Sequence, residues 1–349
     1  MGELDPPVPV EYIKKIALPY TYAITSLREE DMIRQFAALV EDYEEQGDFI
    51  LDVDLQTYRE ITSDDGPLLL DKEHSHSLYL MMDGTKYSNF KSQQTAPATM
   101  CFSTRDSGGK QHITKNMFHF FQRLMTRVAQ GQINHLRKSC ERIILCQDDP
   151  GFGFVIDMIG RDLVPGLTVR EIIERTDRIY PDGVIPAFHY CDDWRQVEVD
   201  GWYPLWESKP KITHIDLVRY SPELDQTQAE KVNDFLKKGG GLALGVLPNV
   251  DDGYSDPLLK TLETNLNDSF KRLNESGVDI GLLRTSTMIS TQCGLSGASP
   301  ALCREIHAES LQFQEIFFQT LDRIQWFHNY TYSMEMARGI VLVEYVARE

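Results

Sequence analysis

The sequence predicts an α/β protein, a single (β/α)8 TIM barrel spanning residues 1–349. The main observation is a recurring pair, in which a short apolar run rich in β-branched residues is followed by an amphipathic helical pattern. Eight such runs over a chain of 349 residues are typical of a barrel of parallel strands. No glycine-rich turn follows the first run, so a doubly wound nucleotide-binding sheet is only the second choice.

The predicted strands share an aliphatic or β-branched composition and are bounded by turn-forming residues. They are KKIALPY (14–20), FILDVDL (49–55), ATMCFS (98–103), RIILCQD (142–148), VIPAFHYC (184–191), KITHIDLV (211–218), GLALGVLP (241–248) and TSTMIST (285–291). Amphipathic periodicity predicts helices within 26–47, 166–179, 221–240 and 256–277. The polar segment 59–97 is predicted to be a loop inserted at the active face.

Composition and net charge limit the classes of function that the protein can have. Apolar residues make up 42% of the chain and charged residues 25%, which is typical of a globular protein. Lys and Arg total 35 against 53 Asp and Glu, and the net charge of -18 argues against a nucleic-acid partner. No apolar stretch approaches the roughly 20 residues that span a bilayer, so no membrane partner is expected. With no apolar signal core and six widely spaced cysteines, we expect a cytoplasmic protein with reduced thiols.

Polar residues stand at the ends of several predicted strands, where the active face of a barrel lies. They are Asp52, Asp54, Asp148, Asp149, His189, Cys191, His214, Asp216 and Cys293. Because side chains alternate along a strand, His189 and Cys191 share one face of their strand, and His214 and Asp216 share one face of the next. A barrel would therefore gather His, Cys and Cys ligands, with an Asp or a second His, around one axis.

This residue set predicts a zinc site. Thiolate and imidazole ligands favour Zn²⁺ in tetrahedral geometry. His and Cys are also often buried for packing alone, and that reading applies to His189 and Cys191 taken by themselves. Cys293 lies in the polar turn TQCGLSG and is less suited to filling a core. The other four cysteines have no such context and are interpreted as packing residues.

The same motifs resemble the zinc site of cobalamin-independent methionine synthase. The residues that carry the resemblance are HYC after one strand, ITHID on the next and STQCGL on the last. ILCQDDPGF and GLALGVLPNVDD resemble two further strands with their loops, and the likeness covers most of residues 35–325. That family belongs to a barrel superfamily shared with uroporphyrinogen decarboxylase, corrinoid-linked methyltransferases and epoxyalkane:coenzyme M transferase.

The resemblance implies roles for individual residues. His189, Cys191 and Cys293 match three zinc ligands, and Asp216 falls where the family has a glutamate ligand, with His214 as its competitor. Asp148 matches an aspartate that binds the amino group of the substrate, and Asp54 falls near an acidic residue with the same task. The sequence departs from the family after the first strand, where ALPYT replaces the Gly-Ser that receives the homocysteine carboxylate.

The function that the resemblance implies is zinc-dependent methyl transfer to a small thiol such as homocysteine, a reaction of methionine biosynthesis. No counterpart of the folate-binding barrel of the long enzymes is found, so the expected donor is a methyl-corrinoid protein or a small methyl donor. One alternative is a thiol alkyltransferase or lyase of the epoxyalkane:coenzyme M type, for which Arg219 or Lys211 would bind a sulfonate. The other alternative is a barrel with a structural zinc ion and no catalysis.

Overall fold

The computed structural model describes residues 6–41, 43–45 and 47–346, with side chains described up to residue 325. The strands in this part of the chain are β1 (Tyr43–Glu45), β2 (Phe49–Leu51), β3 (Tyr87–Thr95), β4 (Thr104–Arg105), β5 (Cys140–Asp148), β6 (Ile185–His189), β7 (Ile212–Asp216), β8 (Gly241–Leu247) and β9 (Thr287–Thr291). The α-helices are α1 (Val10–Ile13), α2 (Arg34–Ala37), α3 (Leu55–Ser63), α4 (His76–Leu80), α5 (Pro97–Ser103), α6 (Lys115–Leu136), α7 (Phe152–Gly160), α8 (Val169–Asp177), α9 (Pro204–Glu207), α10 (Gln226–Lys237), α11 (Leu258–Glu275) and α12 (Pro300–Val346).

Six strands form one parallel sheet in the order β3-β5-β6-β7-β8-β9. Each strand of this sheet pairs with the sheet strand that precedes it along the chain. Helical segments connect the successive strands, as expected for repeated βα units. Strands β1, β2 and β4 form a separate small sheet. The carboxyl ends of all six parallel strands therefore meet at one edge, where the loops that carry function lie.

The six-stranded sheet is curled. Ile144 of β5 and Met288 of β9 belong to the same apolar cluster on the inner face, together with Ala187 of β6 and Leu18. In a flat sheet β5 and β9 would be about 19 Å apart, since neighbouring strands are spaced about 4.8 Å apart. The shared cluster therefore requires a half-barrel, and the α/β fold class is confirmed in this barrel-like form.

The N-terminal segment extends the half-barrel beyond β3. Tyr20 forms a parallel bridge with Lys91 of β3. Its hydroxyl lies 2.7 Å from Nε2 of His307, on the helix that follows β9. His307 donates through Nδ1 to the Cys303 carbonyl, so its Nε2 accepts from Tyr20. This contact joins the first segment of the chain to α12.

Five predicted strands are confirmed, namely β5 to β9, as are the predicted helices corresponding to α8, α10 and α11. Helix α10 has the clearest sequence signal, because Asp225 and Gln228 form a reciprocal capping box at its start. The periodic segment 26–47 differs from prediction: its described residues contain the short 3-10 helix Arg28–Glu30, helix α2 and strand β1 instead of one long helix.

Of the first three predicted strands, one is a helix and the other two pair over only part of their length. Residues 98–103 belong to helix α5, because Pro97 stands in its first turn and the Asp149 carboxylate accepts from the Thr99 N–H. Of segment 14–20 only Tyr20 pairs with the sheet. Segment 49–55 is a strand only over Phe49–Leu51, because Asp54 begins helix α3 as its N-cap.

The range 59–97, predicted to be an inserted loop, contains helix α4 and strand β3. Strand β3 alternates between buried residues that face the helices, such as Phe90 and Ser92, and half-buried residues on the other face, such as Lys91 and Gln93. Polar side chains on the inner face conceal this strand from a prediction based on apolar runs.

None of the described helices combines the length and the apolar composition needed to cross a membrane. None of the six cysteines is in a disulfide.

Candidate metal centre

Three of the predicted ligands converge at the carboxyl edge of the sheet. His189 Nε2 lies 2.8 Å from Cys191 Sγ and 3.7 Å from Cys293 Sγ. The two sulfur atoms are 3.5 Å apart. Among the described residues, this is the group of His, Cys, Asp and Glu side chains whose ligand atoms all lie within 4.8 Å of one another.

The fold explains the convergence. His189 is the last residue of β6, and Cys191 follows two positions later on the same face. Cys293 follows β9, two strands beyond β7 in the sheet order, and the curl brings it back toward β6. Cys191 and Cys293 are the half-buried cysteines of the chain, whereas the other four are buried. The two cysteines of the cluster are therefore the least buried of the six.

The two thiols influence each other's ionisation. A hydrogen bond from Cys191 lowers the pKa of Cys293. The same hydrogen bond raises the pKa of Cys191. The pair therefore readily loses one proton, which is the first requirement for a site that binds a metal ion through thiolates.

His214 lies beside the cluster rather than within it. Its Nδ1 is 2.8 Å from Nδ1 of His189, and its Nε2 is 2.9 Å from the carbonyl oxygen of Thr291. The two imidazole rings meet edge to face, with centroids 4.3 Å apart. Both nitrogens of His214 are thus occupied by contacts within the protein.

Asp216 is not brought into the group of three. One carboxylate oxygen accepts the backbone N–H groups of Val218 and Arg219, each at 2.9 Å, and the residue is 1% exposed. The Trp194 indole donates to the Asp216 carbonyl and ties the loop after β6 to the loop after β7. In this structure Asp216 closes the turn after β7, and its role as a fourth ligand stays a prediction.

Asp148 lies at the same edge of the sheet. It ends β5, in register with His189 of β6, and alternation places it on the inner face with Ile144 and Cys146. Its neighbour Asp149 points the other way and is buried, where it accepts from the N–H and hydroxyl of Thr99. Burial raises the pKa of Asp149 to about 7. Asp148 therefore faces the cluster, and Asp149 fixes helix α5 to the loop after β5.

Asp54 and Lys211 are not in the group of three, and the role of Asp54 at the site stays a prediction. Asp54 is an exposed N-cap of helix α3, and its hydrogen bond from the Thr57 N–H lowers the pKa of its carboxyl. Strand β2, which precedes it, is not part of the six-stranded sheet. Lys211 precedes β7 and so lies at the opposite end of the sheet, whereas Arg219 follows β7 on the side of the cluster.

Sequence reasoning missed Gly245, which shapes the site from strand β8. A Cβ atom there would lie 3.0 Å from His214 Nε2 and 2.9 Å from the Cα of Gln292. The absence of a side chain lets the His214 ring pass over β8 and reach the end of β9. A glycine inside a predicted strand is the signal for such a close approach.

The donor set fits a zinc ion. Zinc binds cysteinate sulfur at about 2.3 Å and histidine nitrogen at about 2.0–2.1 Å, so tetrahedral ligand atoms are spaced by about 3.3–3.8 Å. The sulfur–sulfur distance of 3.5 Å and one nitrogen–sulfur distance of 3.7 Å fall in that range. The other, 2.8 Å, is shorter. Three protein ligands leave one tetrahedral position, which is the pattern of zinc sites that bind water or substrate.

The sequence matches no protein-family model and no curated protein. One solved structure with a similar chain path is a B12-independent methionine synthase from Shewanella sp. W3-18-1 in complex with selenomethionine. The match has 14% sequence identity and a TM-score of 0.45, and it covers 66% of this chain and 63% of that one. This chain therefore spans less than two thirds of that protein, and a likeness of this degree assigns neither an activity nor a ligand.

Proposed function

We propose that the protein is a zinc-dependent enzyme that transfers a methyl group to a small thiol such as homocysteine. The observation that carries the proposal is the convergence of His189, Cys191 and Cys293 at the carboxyl edge of a curled parallel sheet. The same three residues carry the sequence resemblance to cobalamin-independent methionine synthase. The half-buried state of both cysteines favours a site open to substrate over a closed structural site.

His189, Cys191 and Cys293 would hold the ion, with Asp216 as a further ligand if its turn rearranges. A zinc ion bound in this way lowers the pKa of a substrate thiol, so that the thiolate is present near neutral pH. The chain's own contribution is to fix the three donors on strand ends of one sheet. Positioning of thiol and methyl donor at one point then accounts for much of the rate.

Asp148 supports an amino-thiol as the substrate. Its carboxylate lies on the inner face at the level of His189. The hydrogen bond with Cys293 and burial raise the pKa of the Cys191 thiol, and the charge of Asp148 adds to this effect. Asp148 contacts the Cys146 thiol by a side-chain hydrogen bond, and we propose that a substrate ammonium group is its positively charged partner. Homocysteine, whose ammonium group is four bonds from sulfur, is an amino-thiol of this kind.

The reaction is a nucleophilic displacement at carbon. The substrate thiol loses its proton, its sulfur forms a bond to the methyl carbon, and the bond between that carbon and the donor breaks with its electron pair staying on the donor. With methylcobalamin as the probe, the donor product is cob(I)alamin, which has a distinct visible spectrum. Incubation of the zinc-loaded protein with methylcobalamin and homocysteine should yield methionine and cob(I)alamin in equal amounts. A protein that turns over neither this donor nor S-methylmethionine with any small thiol would contradict the proposal.

Replacement of Asp148 by asparagine should weaken amino-thiols selectively. We expect kcat/KM for homocysteine to fall about 10-fold to 100-fold, because a hydrogen bond to a charged group contributes about 1.5–3 kcal/mol. Steady-state kinetics with homocysteine and with 3-mercaptopropionate, which has no amino group, measure the selectivity. Asp54→Asn is the matched comparison, since asparagine also caps a helix. An equal loss with both thiols would exclude the role of Asp148, and a loss in Asp54→Asn would assign the ammonium contact to Asp54.

The alkyltransferase alternative retains one candidate residue. Arg219 lies on the side of the cluster and is half exposed, 3.8 Å from Asp216, whereas Lys211 is at the other end of the sheet. If the substrate carries a sulfonate, 2-mercaptoethanesulfonate should bind more tightly than homocysteine, and Arg219→Gln should remove that preference. The opposite order of affinities favours the amino-thiol.

A further inference from the structure

We propose that His214 is a positioning residue, which holds His189 in the tautomer whose Nε2 can bind a metal ion. This inference rests on the proposed zinc site, but its structural part concerns the protein without metal. His214 lies 2.8 Å from His189 through Nδ1 and 2.9 Å from the Thr291 carbonyl through Nε2. These two contacts determine where the protons of both rings lie.

The contact with Thr291 fixes the first proton. A carbonyl oxygen can only accept, so the Nε2 of His214 must carry a hydrogen. In a neutral imidazole the other nitrogen is then an acceptor, and Nδ1 of His214 receives a hydrogen bond from its neighbour. That neighbour is Nδ1 of His189, which must therefore be the N–H of its ring. The remaining nitrogen of His189, Nε2, then carries no hydrogen, so its lone pair can accept from the Cys191 thiol or bind a metal ion.

The His189 nitrogen that carries no hydrogen, Nε2, is the one that faces the cysteines. Nε2 of His189 is the atom 2.8 Å from Cys191 Sγ and 3.7 Å from Cys293 Sγ. Metal-binding histidines generally donate their second ring N–H to a carboxylate, a carbonyl or water, which fixes the ring and its tautomer. Here a second histidine takes that place and passes the hydrogen bond on to a backbone carbonyl.

The neutral state of His214 follows from its surroundings. The residue is 8% exposed, and its described polar contacts are the two named above, neither of which is a carboxylate. A doubly protonated His214 would donate to His189 and place its proton on the wrong nitrogen, so the buried neutral ring is the form that the site requires.

Gly245 makes the chain of contacts geometrically possible. The Thr291 carbonyl ends β9, while His214 is on β7, and β8 lies between them. Gly245 is paired with Asp216 of β7 and Ser290 of β9, and a Cβ there would stand 3.0 Å from the His214 Nε2 atom. The ring therefore crosses β8 at the one residue that leaves room for it.

The test begins with the tautomers in the wild-type protein. ¹⁵N-histidine NMR of protein from which metal has been removed by chelation should show His189 with its proton on Nδ1 and His214 with its proton on Nε2. A proton on Nε2 of His189 in this protein would overturn the proposal. This result does not depend on whether the protein binds zinc, so it separates the failure of this inference from the failure of the proposed function.

Two variants then test the consequence for metal binding. His214→Gln keeps an acceptor for His189 and a donor for Thr291, whereas His214→Leu has neither. Loss of such an outer contact typically weakens metal affinity about 10-fold to 100-fold, so His214→Leu should lose zinc affinity in this range and His214→Gln should retain most of it. Zinc affinity is measured by competition with a chromophoric chelator, and far-UV circular dichroism checks the fold. Equal affinities in wild type and a folded His214→Leu would contradict the positioning role, as would an equal loss in both variants.

Discussion

Cys191→Ser and Cys293→Ser are expected to abolish zinc binding, while the wild-type protein carries about one zinc ion per chain, as a site of three protein ligands does. Each change replaces a thiolate by a hydroxyl that stays protonated at neutral pH, and the cluster offers only one other sulfur. Elemental analysis of the purified proteins by mass spectrometry measures the metal content.

Cys303→Ala and Cys140→Ala are the matched controls. Both cysteines are buried in packing positions outside the cluster, so their removal should leave zinc content unchanged even though it lowers stability. Wild-type protein that holds no zinc and cannot be reconstituted with it would contradict the proposed metal site. Loss of zinc in all four variants would point to a general effect on folding instead.

Gly131→Ala should cause the largest loss of stability among single changes in the helices that flank the sheet. Gly131 is a buried residue of α6, and a Cβ there would lie 1.9 Å from the Leu68 carbonyl oxygen and 2.5 Å from its carbon. Because both contacts are with backbone, no rotamer change can relieve them. We expect the free energy of unfolding to fall by about 3 kcal/mol or more, at the upper end for overpacked sites, as measured by urea denaturation.

Gly160→Ala provides the control for this prediction. Gly160 is the last residue of α7, and a Cβ there meets nothing within 4 Å. Alanine is favoured over glycine in a helix by up to about 1 kcal/mol, so this variant should be as stable as the wild type or slightly more stable. Equal free energies of unfolding for the two variants would contradict the close packing of Leu68 against α6.

The parts of the fold that the sequence predicts are those with a local signal. Strand β6 is an apolar run that ends in His189, β8 is apolar throughout, and the capping box of α10 lies within the four residues 225–228. Helix α5 was taken for a strand because its β-branched and aromatic residues outweighed Pro97 at its start. A tertiary contact stabilises the helix: the Asp149 carboxylate, fifty residues away in the sequence, accepts a hydrogen bond from the first turn of α5.

The three donors of the candidate site could be predicted because each stands at the end of a strand or just beyond it. The role of His214 could not, since it depends on how far the sheet curls and on which atom of Thr291 meets the ring. Alternation places His214 and Asp216 on one face of β7, so the sequence does not distinguish their roles. Their hydrogen bonds do, because His214 contacts His189 whereas Asp216 accepts from the Val218 N–H. Asp54 was predicted to lie at the site because its strand was counted as part of the barrel, which it is not.

The central claim is that His189, Cys191 and Cys293 hold a zinc ion that takes up the substrate thiol. X-ray absorption at the zinc edge, recorded before and after addition of homocysteine, tests this claim most directly. The account predicts a first shell with two sulfur ligands and at least one nitrogen, in which a third sulfur replaces an oxygen when the thiol is added. Titration in weak buffer should show release of about one proton per site, because the bound form is the thiolate. A shell that stays unchanged with every thiol tried would contradict the claim and leave the ion a structural role.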